Sequence, residues 1–518
     1  MLVCNNKNYT ISEDIQYKRN NGRNDDVRYT IYWNKQTLQI SDLTAILFEK
    51  LISFKVYELF NDTVNLVKNE GNNFNNKHMI NMVFLNFLSS KWMKEINQSD
   101  SVELETSQYT YCTTVLDKHY LINFLYNTID LLSPKLYKQV MQKEFHEIDP
   151  EDLLYLYARR YIRDKHINED ACFAVNPKSE NLVYLVFSYA CNLKCTYCFE
   201  SDKNRIYQMD ESTFDKTMDY IERLSGISKT ILTFYGGEPL LEMNSSRIKK
   251  VIERFIDNKN IRFRFITNGI NAHKFLDMFS LIKDRIDKFV ITIDGPKEDH
   301  DKRRVFGNLQ GTFELIMSNI SMLLSHGYPV SIRLNVDYSN YQAQEELLHF
   351  LNSSFKNNDN IQIEYHRIED KNNPHFIPVT YLDCYKLYQK AKRISNFMVK
   401  FSVPLLVALE NMKEQKEGFA DLCNSCCSMN RNHVIDLDGV VYSCNEAMGI
   451  EDFRFANVRD ELSVTPKTIK KDYCSCPFFF ACYCNCTLKK YYTSLENENM
   501  KCEYLQMEEL VHCFLESI

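Results

Sequence analysis

The chain has no long apolar run and no excess of basic residues. No stretch of its 518 residues reaches the roughly 18 apolar residues that a membrane span needs, and its start has no apolar segment behind a basic end. Lys and Arg number 62 against 69 Asp and Glu, so a net charge of −7 leaves no basic surplus for nucleic-acid phosphates. We therefore expect a cytoplasmic protein that binds neither a membrane nor a nucleic acid.

Glycine is also scarce, at 13 of 518 residues, so a glycine at the end of a predicted strand is informative. Hydrophobic residues make up 44% of the chain, which is enough for about three folding units of roughly 150 residues each. We divide the chain into an N-terminal α+β region (1–104), a winged-helix-like module (105–178), an α/β domain (179–375) and a linker helix with a cysteine-rich tail (376–518).

Strands and helices are predicted to alternate between residues 181 and 370. The apolar segments that predict strands are 182–187, 230–234, 262–267, 289–293, 330–336 and 361–365. Amphipathic segments between them predict helices at 210–225, 245–257, 272–285, 312–326 and 341–352. Six such alternations predict a parallel sheet, either curled into a barrel or open and doubly wound. After about 370 the strand pattern stops, and 380–400 is predicted to be a helical linker.

The first 170 residues contain weaker signals. A strand is predicted at 29–33, a helix at 43–59, and a β-rich run at 109–115. Ser133 is suited to cap a helix that begins at Pro134, and a further helix is predicted at 151–161. A strand pair followed by short helices is winged-helix-like in outline. A purely structural role for this region is the alternative.

The placement of the 18 cysteines favours metal ligation over disulfide bonds. Three lie within eight residues, at 191, 195 and 198, and eleven lie between 423 and 513. A secreted disulfide framework is typical of a short chain with a signal peptide. Three thiolates on one loop after a strand can hold three irons of a 4Fe–4S cluster and leave the fourth iron open. Zinc is the alternative, although zinc sites favour CX2C pairs and four ligands.

The CX3CX2C loop and the segments after it resemble the radical S-adenosylmethionine (SAM) superfamily. Gly236-Gly237-Glu238-Pro239 is similar to the GGEP motif of that family, and its glycines, amides and carboxylate suit a close ammonium group. Further similar segments follow in the same order, at 265–269, 291–296, 300–304 and 307–313. Taken singly, each segment is compatible with ordinary barrel packing.

This resemblance implies a partial (β/α)6 TIM-like barrel, with Cys191, Cys195 and Cys198 holding the catalytic cluster. It implies that an electron from a flavodoxin- or ferredoxin-type donor leads to SAM cleavage, and that a 5′-deoxyadenosyl radical then abstracts a hydrogen. The choice of Arg304 over Arg303 rests on spacing alone. The residues that the resemblance assigns to SAM are Tyr197, Gly236, Gly237, Glu238, Pro239, Asn268, Thr292, Asp294 and Arg304.

The tail resembles a SPASM domain, which holds auxiliary 4Fe–4S clusters. The first cluster would use Cys427, Cys444 and Cys486, with Cys423 or Cys426 as a possible fourth ligand, and the second would use Cys474, Cys476, Cys482 and Cys502. The family pattern has a cysteine where this chain has Tyr473, so the nearby Cys474 is a substitute. Cys484 and Cys513 have no place in that pattern. A two-zinc ribbon is the alternative for the tail.

The resemblance to peptide-modifying members of the superfamily implies a precursor peptide whose leader binds the 105–178 module. Thioether crosslinking of a cysteine to a carbon atom is the leading expectation. Carbon–carbon crosslinking or epimerisation of such a peptide is the runner-up. Formylglycine formation by an anaerobic sulfatase-maturing enzyme is a third reading, for which the long N-terminal extension is hard to explain. A non-catalytic zinc or electron-transfer scaffold is the fourth.

Overall fold

A computed structural model describes part of the chain. It gives the backbone of four strands between residues 9 and 40. The other described ranges are 103–165, 180–368 apart from 199, 202, 204–206 and 357, then 377–414, 432–460, 476–478, 481 and 503–518. The chain forms two compact units, Met1–Glu169 with Asn411–Ala420, and Asp170–Glu410 with Asp421–Ile518.

The first unit begins with a four-stranded antiparallel sheet in the order β1-β2-β3-β4. These strands are Tyr9–Ser12, Ile15–Asn21, Val27–Trp33 and Gln36–Ile40. The strand predicted at 29–33 is thereby confirmed within β3. The helix predicted at 43–59 lies outside the described residues.

The same unit continues with a three-stranded antiparallel meander, followed by two helices. Its strands are β6 (Thr110–Val115), β7 (Lys118–Asn123) and β8 (Thr128–Leu132), and its helices are α1 (Pro134–Met141) and α2 (Pro150–Ala158). β5 (Leu104–Thr106) pairs with β9 (Ile162–Asp164), so the boundary expected after residue 104 falls inside a strand. Ser133 caps α1 as predicted, because its Oγ accepts a hydrogen bond from the Leu136 amide at 3.3 Å. A meander followed by helices matches the expected outline, and its winged-helix identity stays a prediction.

The second unit is built on a sheet whose strands are mainly parallel. The six predicted strands are all present, as β10 (Asn181–Val186), β12 (Thr230–Tyr235), β13 (Ile261–Thr267), β14 (Ile286–Thr292), β16 (Val330–Val336) and β17 (Ile361–Arg367). They lie side by side in chain order, and each pairs in parallel with the next. This arrangement is the α/β core expected of a partial TIM-like barrel.

Most helices between these strands overlap the amphipathic segments of the sequence, but the helix at 297–303 was not predicted. The helices are α3 (Glu211–Ile227), α4 (Ser245–Phe255), α5 (Leu276–Leu281), α6 (Lys297–Arg303), α7 (Phe313–Ser325) and α8 (Gln344–Ser354). The segment predicted as one helix at 272–285 is instead two 3-10 turns flanking α5. A two-stranded ribbon of β11 (Leu193–Cys195) and β15 (Arg304–Phe306) lies outside the main sheet.

The sheet extends beyond the predicted six strands at both edges. After α9 (Tyr381–Ile394), strand β18 (Met398–Phe401) pairs in parallel with β17, so the strand pattern does not stop at 370 as expected. β18 has only four residues, of which Val399 and Phe401 are buried, and such a short alternation is indistinct in the sequence. At the other edge β19 (Asn432–Ile435) pairs in parallel with β10, and β20 (Val440–Tyr442) and β21 (Arg454–Asn457) follow antiparallel.

Two further helices complete the described part of the chain, α10 (Pro404–Lys413) and α11 (Tyr504–Glu516). Arg367 at the end of β17 donates to Glu503 Oε1 at 2.9 Å, which ties the start of α11 to the sheet. Within the described residues, every helix is too short or too polar to cross a lipid bilayer.

Candidate functional site

The three cysteines at 191, 195 and 198 lie on the loop that follows β10, the strand between β12 and β19 in the sheet. All three side chains are partly buried thiols. Cys195 is the last residue of β11 and lies opposite Arg304 of β15, and the Thr196 amide donates to the Arg303 carbonyl at 3.0 Å. Burial, together with the nearby Glu238 carboxylate, raises the pKa of the Cys191 thiol to about 12. The loop is thus held against the segment that follows β14.

Two glycines at the end of β12 bring a second loop against the cysteine loop. Gly236 and Gly237 have φ angles of +83° and +49°, in the left-handed region that favours glycine. A Cβ atom on Gly237 would lie 2.3 Å from the Ala190 carbonyl oxygen. The next amide, that of Glu238, donates to this same oxygen at 2.8 Å. Side chains are therefore excluded where the two backbones meet.

The Glu238 carboxylate does not face a ligand as expected. It is fully buried and accepts hydrogen bonds from the Thr267 hydroxyl (2.5 Å) and from the amides of Asn268 (2.6 Å) and Leu240 (2.8 Å). Burial raises the pKa of this carboxyl, although its three donors oppose the rise. With both oxygens engaged, the carboxylate ties β12 to β13 and is not available to an ammonium group.

Asn268 and Pro239 lie beside this loop. The Asn268 side-chain amide donates to Asn192 Oδ1 at 2.8 Å, which joins the end of β13 to the cysteine loop. Pro239 is buried, and its carbonyl accepts from the Asn244 side chain at 3.2 Å. Asn268 therefore lies against the cysteine loop, and its assignment to SAM stays a prediction, whereas Pro239 has a structural role.

Tyr197 is the centre of a polar cluster. Its hydroxyl donates to Asp294 Oδ2 at 2.6 Å and accepts from Arg304 Nη1 at 2.9 Å and from Asn335 Nδ2 at 3.2 Å. Burial alone would lower the pKa of Arg304, but Tyr197, Cys195 and Asp294 raise it, so this guanidinium stays charged. Tyr197, Asp294 and Arg304, which the sequence assigns to one ligand, are thereby in direct contact.

Arg303 also belongs to this cluster, although spacing alone favoured Arg304. Its Nε atom lies 3.2 Å from Asp294 Oδ2, and its Nη1 atom donates to Asp337 Oδ2 and Ser339 Oγ at 2.8 Å each. Its guanidinium carbon lies 4.8 Å from the centre of the Tyr197 ring. Arg303, Asn335 and Asp337 were not selected from the sequence. Polar residues at the C-terminal end of a parallel strand, as at 335 and 337, were the available signal.

His300 and Asp301 fix the backbone of this region. His300 Nδ1 accepts from the Asp294 amide at 3.3 Å, its Nε2 lies 3.0 Å from Thr312 Oγ1, and this hydroxyl donates to the Arg304 carbonyl at 2.7 Å. This network assigns the proton to Nε2 of a neutral ring. Burial, with the charge of Arg304, lowers the pKa of His300 to about 3. Asp301 Oδ1 accepts from the Thr312 amide at 2.7 Å and so caps α7.

Thr292 and the predicted auxiliary ligands complete the set of sequence-derived residues. Thr292 is buried at the end of β14 and is paired with Arg333 of β16.

Cys444 follows β20 and packs, partly buried, against the core cluster that contains Val186 and Tyr235. Cys476 is partly buried. The other predicted auxiliary ligands lie outside the described residues: Cys423, Cys427, Cys474, Cys482, Cys486 and Cys502.

The donor set and its surroundings fit an iron–sulfur cluster and a ligand that carries a carboxylate and an ammonium. Three thiols share one loop, and the glycine turn brings a second backbone segment directly against that loop. Asp294 Oδ1, Arg303 Nη2 and Arg304 Nε are buried without a hydrogen-bond partner among the described residues. Such atoms suit a polar ligand, and arginine pairs well with carboxylate. In the described part of the chain no three His, Cys, Asp or Glu side chains converge on a single-ion site.

Comparison with known proteins agrees with this geometry. Residues 185–351 match the family model described as Radical SAM superfamily. The chain is 32% identical over 154 residues to a cysteine-type anaerobic sulfatase-maturating enzyme of Clostridium novyi, a match that covers 28% of this chain and 41% of that protein. It is 31% identical over 164 residues to the uncharacterized protein MJ0907 of Methanocaldococcus jannaschii, covering 31% of this chain and 54% of that protein.

A solved structure described as native anSMEcpe with bound AdoMet aligns with a TM-score of 0.46 and 18% identity, covering 65% of this chain and 98% of that chain. The chain spans about half the length of the Methanocaldococcus protein and less than half of the Clostridium enzyme. The expected resemblance is confirmed for the segment that contains all three cysteines and the glycine turn. Residues 185–351 therefore form a radical SAM domain, whose cofactors are SAM and a 4Fe–4S cluster.

Proposed function

We propose that this protein is a radical SAM maturase that modifies a ribosomally synthesised peptide, with thioether crosslinking as the leading reaction. The observation that carries this proposal is the joining of the cysteine loop, the glycine turn and the Tyr197 cluster at one end of the sheet. The radical SAM domain accounts for residues 185–351, and the chain adds a separate folded unit before it and eleven cysteines after residue 422. Auxiliary clusters and a bound leader would explain these additions.

When bound, the cluster and SAM together supply a 5′-deoxyadenosyl radical that abstracts a hydrogen atom. Cys191, Cys195 and Cys198 would hold the cluster. The carbonyls of the glycine turn would accept hydrogen bonds from the SAM ammonium, and Arg304 would pair with its carboxylate. A low-potential flavodoxin or ferredoxin would supply the electron.

Other residues of the cluster orient these groups. The Tyr197 ring would lie by the adenine, with its hydroxyl held between Asp294 and Arg304, and the Thr292 hydroxyl would help to hold SAM. Arg303, fixed by Asp294 and Asp337, packs against the Tyr197 ring. The chain thus supplies position and exclusion of water rather than a reactive side chain.

The 105–178 module, which the structure describes up to residue 165, is proposed to bind the leader of the precursor peptide. In the order β6-β7-β8, strand β8 is at the edge of its sheet, where an added strand could pair with it. Leu131 on β8 is 58% exposed, so an apolar side chain is available beside that edge. Main-chain hydrogen bonds would supply affinity and such side chains would supply selectivity.

Replacing Tyr197 by Phe is expected to weaken SAM binding about tenfold. The change keeps the ring but removes the hydroxyl that joins Asp294, Arg304 and Asn335, and a hydrogen bond to a charged group is worth about 1.5–3 kcal/mol. Anaerobic equilibrium dialysis with SAM measures the effect. Tyr207→Phe is the matched control, because Tyr207 is 66% exposed. Equal SAM affinity in both variants would contradict the role given to Tyr197.

The reaction is tested by anoxic co-expression with a candidate precursor, a short cysteine-rich peptide with its leader, followed by mass spectrometry. Thioether formation removes a pair of hydrogens per crosslink and blocks the cysteine thiol against alkylation. Carbon–carbon crosslinking removes the same mass but leaves the thiols reactive, and epimerisation leaves the mass unchanged. A peptide with its cysteines replaced by serine is the control. An unmodified peptide, in the presence of active SAM cleavage, would rule out that substrate and leader.

Formylglycine formation is the second candidate, favoured by the similarity to an enzyme named as a sulfatase-maturating enzyme. This reaction converts a Cys or Ser of a protein into an aldehyde. A hydrazide reagent that labels a co-expressed sulfatase, but no short peptide, would select it over crosslinking.

A further inference from the structure

The interior face of the sheet is polar along β16 and β17, whereas barrel interiors are usually filled by branched apolar side chains. Along β17 the half-buried residues Gln362, Glu364 and His366 alternate with buried residues. Tyr365, between them, stacks on Phe401 on the opposite face. The half-buried residues therefore line the interior.

The same interior face includes the ends of β14 and β16. Arg333 of β16 is paired with Thr292 on one side and with Glu364 on the other. Asn335, two residues further along β16, donates to the Tyr197 hydroxyl at 3.2 Å. Because residues two apart on a strand share a face, Arg333 lies on the face that leads to the cysteine loop.

The other charges of this face have partners. Lys288 forms a close ion pair with Glu364, which also accepts from Gln362 Nε2 at 2.7 Å. Arg264 pairs with Asp287 at 2.7 Å. Burial, with the charge of Arg333, lowers the pKa of His366, so this ring is neutral.

Arg333 is the exception. Among the described residues its side chain has neither an ion pair within 4.0 Å nor a hydrogen bond, and its Nε atom is buried. Arg333 shares its face of the sheet with Glu364 and with Asn335, which contacts Tyr197, so it lies on the interior face rather than on the outer surface. A partly desolvated guanidinium without a counter-ion is unfavourable until an anion binds. The planar guanidinium selects carboxylates in particular.

We propose that Arg333 forms a subsite for a carboxylate of the substrate, so that the substrate is a peptide with an acidic side chain close to the reacting residue. This inference rests on the proposed function. The carboxylate of SAM is the other source of the same chemistry. Arg304 contacts Tyr197 beside the cysteine loop and offers a buried Nε there that has no partner among the described residues, so SAM does not require Arg333.

The test uses the full chain, purified anaerobically with its clusters and saturated with SAM. The probes are fluorescein-labelled short peptides with capped ends, each containing one cysteine and one Asp at a varied distance from it. Their twins carry Asn in place of Asp. Fluorescence anisotropy gives the affinity of each twin pair, and the capped ends remove any contribution from a terminal carboxylate.

The wild-type protein is expected to bind at least one Asp peptide about tenfold more tightly than its Asn twin. Arg333→Gln is expected to abolish this difference. Arg333→Glu is expected to prefer a third version of the same peptide, with Lys in place of Asp. A misfolded protein could not gain such a preference. Arg262→Gln is the matched control, because Arg262 is an exposed arginine on β13 of the same sheet.

Three results would overturn the subsite: no difference between Asp and Asn in the wild type, the same difference in Arg333→Gln, or a loss of SAM affinity in Arg333→Gln. The proposed function fails separately, through the absence of 5′-deoxyadenosine from the reduced wild-type protein. Active SAM cleavage without Asp discrimination rejects the subsite alone.

Discussion

Replacing Cys191, Cys195 and Cys198 together by Ala is expected to abolish the release of 5′-deoxyadenosine from SAM. These thiols lie on the one loop that is enclosed by the glycine turn and the Tyr197 cluster, and an iron–sulfur cluster cannot be retained there without them. Liquid chromatography of reduced, anaerobic reactions measures the product. The iron bound by the tail is expected to remain, so total iron should fall only in part.

The control for this variant is the double replacement of Cys112 and Cys384 by Ala. Cys112 lies in the first unit, and Cys384 is buried on α9, away from the cysteine loop in sequence. This control is expected to keep both its iron and its SAM cleavage. If the triple variant still released 5′-deoxyadenosine, the assignment of the catalytic loop would be wrong. Loss of all iron in the triple variant would instead contradict separate auxiliary clusters.

Replacing Gly237 by Ala is expected to disrupt the same site through the backbone. The added Cβ would lie 2.3 Å from the Ala190 carbonyl oxygen and 2.6 Å from the Tyr189 carbonyl carbon, and backbone atoms cannot move aside as a flexible side chain can. Such overpacking costs about 1–3 kcal/mol of unfolding free energy. The positive φ angle of Gly237 adds a further penalty for a residue with a side chain.

Thermal unfolding and SAM affinity measure this effect, with Gly226→Ala as the matched control. A Cβ on Gly226 would meet no atom within 4 Å, and this residue lies within α3. Alanine there is expected to be neutral or to stabilise the helix by about 0.5–1 kcal/mol. A Gly237→Ala protein with wild-type stability and SAM affinity would show that the two loops need not meet as described.

The six parallel strands were predictable because each is a short segment rich in apolar residues, whose buried side chains are either successive, as in β12, or alternating, as in β17. β18 was not, since four residues with two buried side chains carry too little periodicity. The pairing of β19 with β10 joins residues about 250 positions apart, and no local pattern encodes such a contact. Cys444 was predicted only as a ligand, and its place beside Val186 and Tyr235 follows from that pairing.

The sequence indicated several of the residues that meet at the candidate site, but it did not indicate Arg303, Asn335 or Asp337, nor the orientation of the side chains. The sequence indicated that Glu238 follows two glycines, yet only the fold shows that its carboxylate turns inward to Thr267 and Asn268. Two consecutive arginines could not be separated by spacing, and both enter the Tyr197 cluster. Arg333 carries no motif. Its importance arises because no described residue supplies a counter-ion to it on an interior face, which is a tertiary property.

The central claim is that the loop beginning at Cys191 holds a 4Fe–4S cluster with one iron open to SAM. The most direct test is electron paramagnetic resonance of the anaerobically purified, dithionite-reduced protein before and after addition of SAM, with 5′-deoxyadenosine quantified in the same samples. The account predicts a reduced-cluster signal that SAM perturbs, that is missing in the triple cysteine variant, and that accompanies product release. A colourless protein, or zinc at this loop without any 5′-deoxyadenosine, would contradict it.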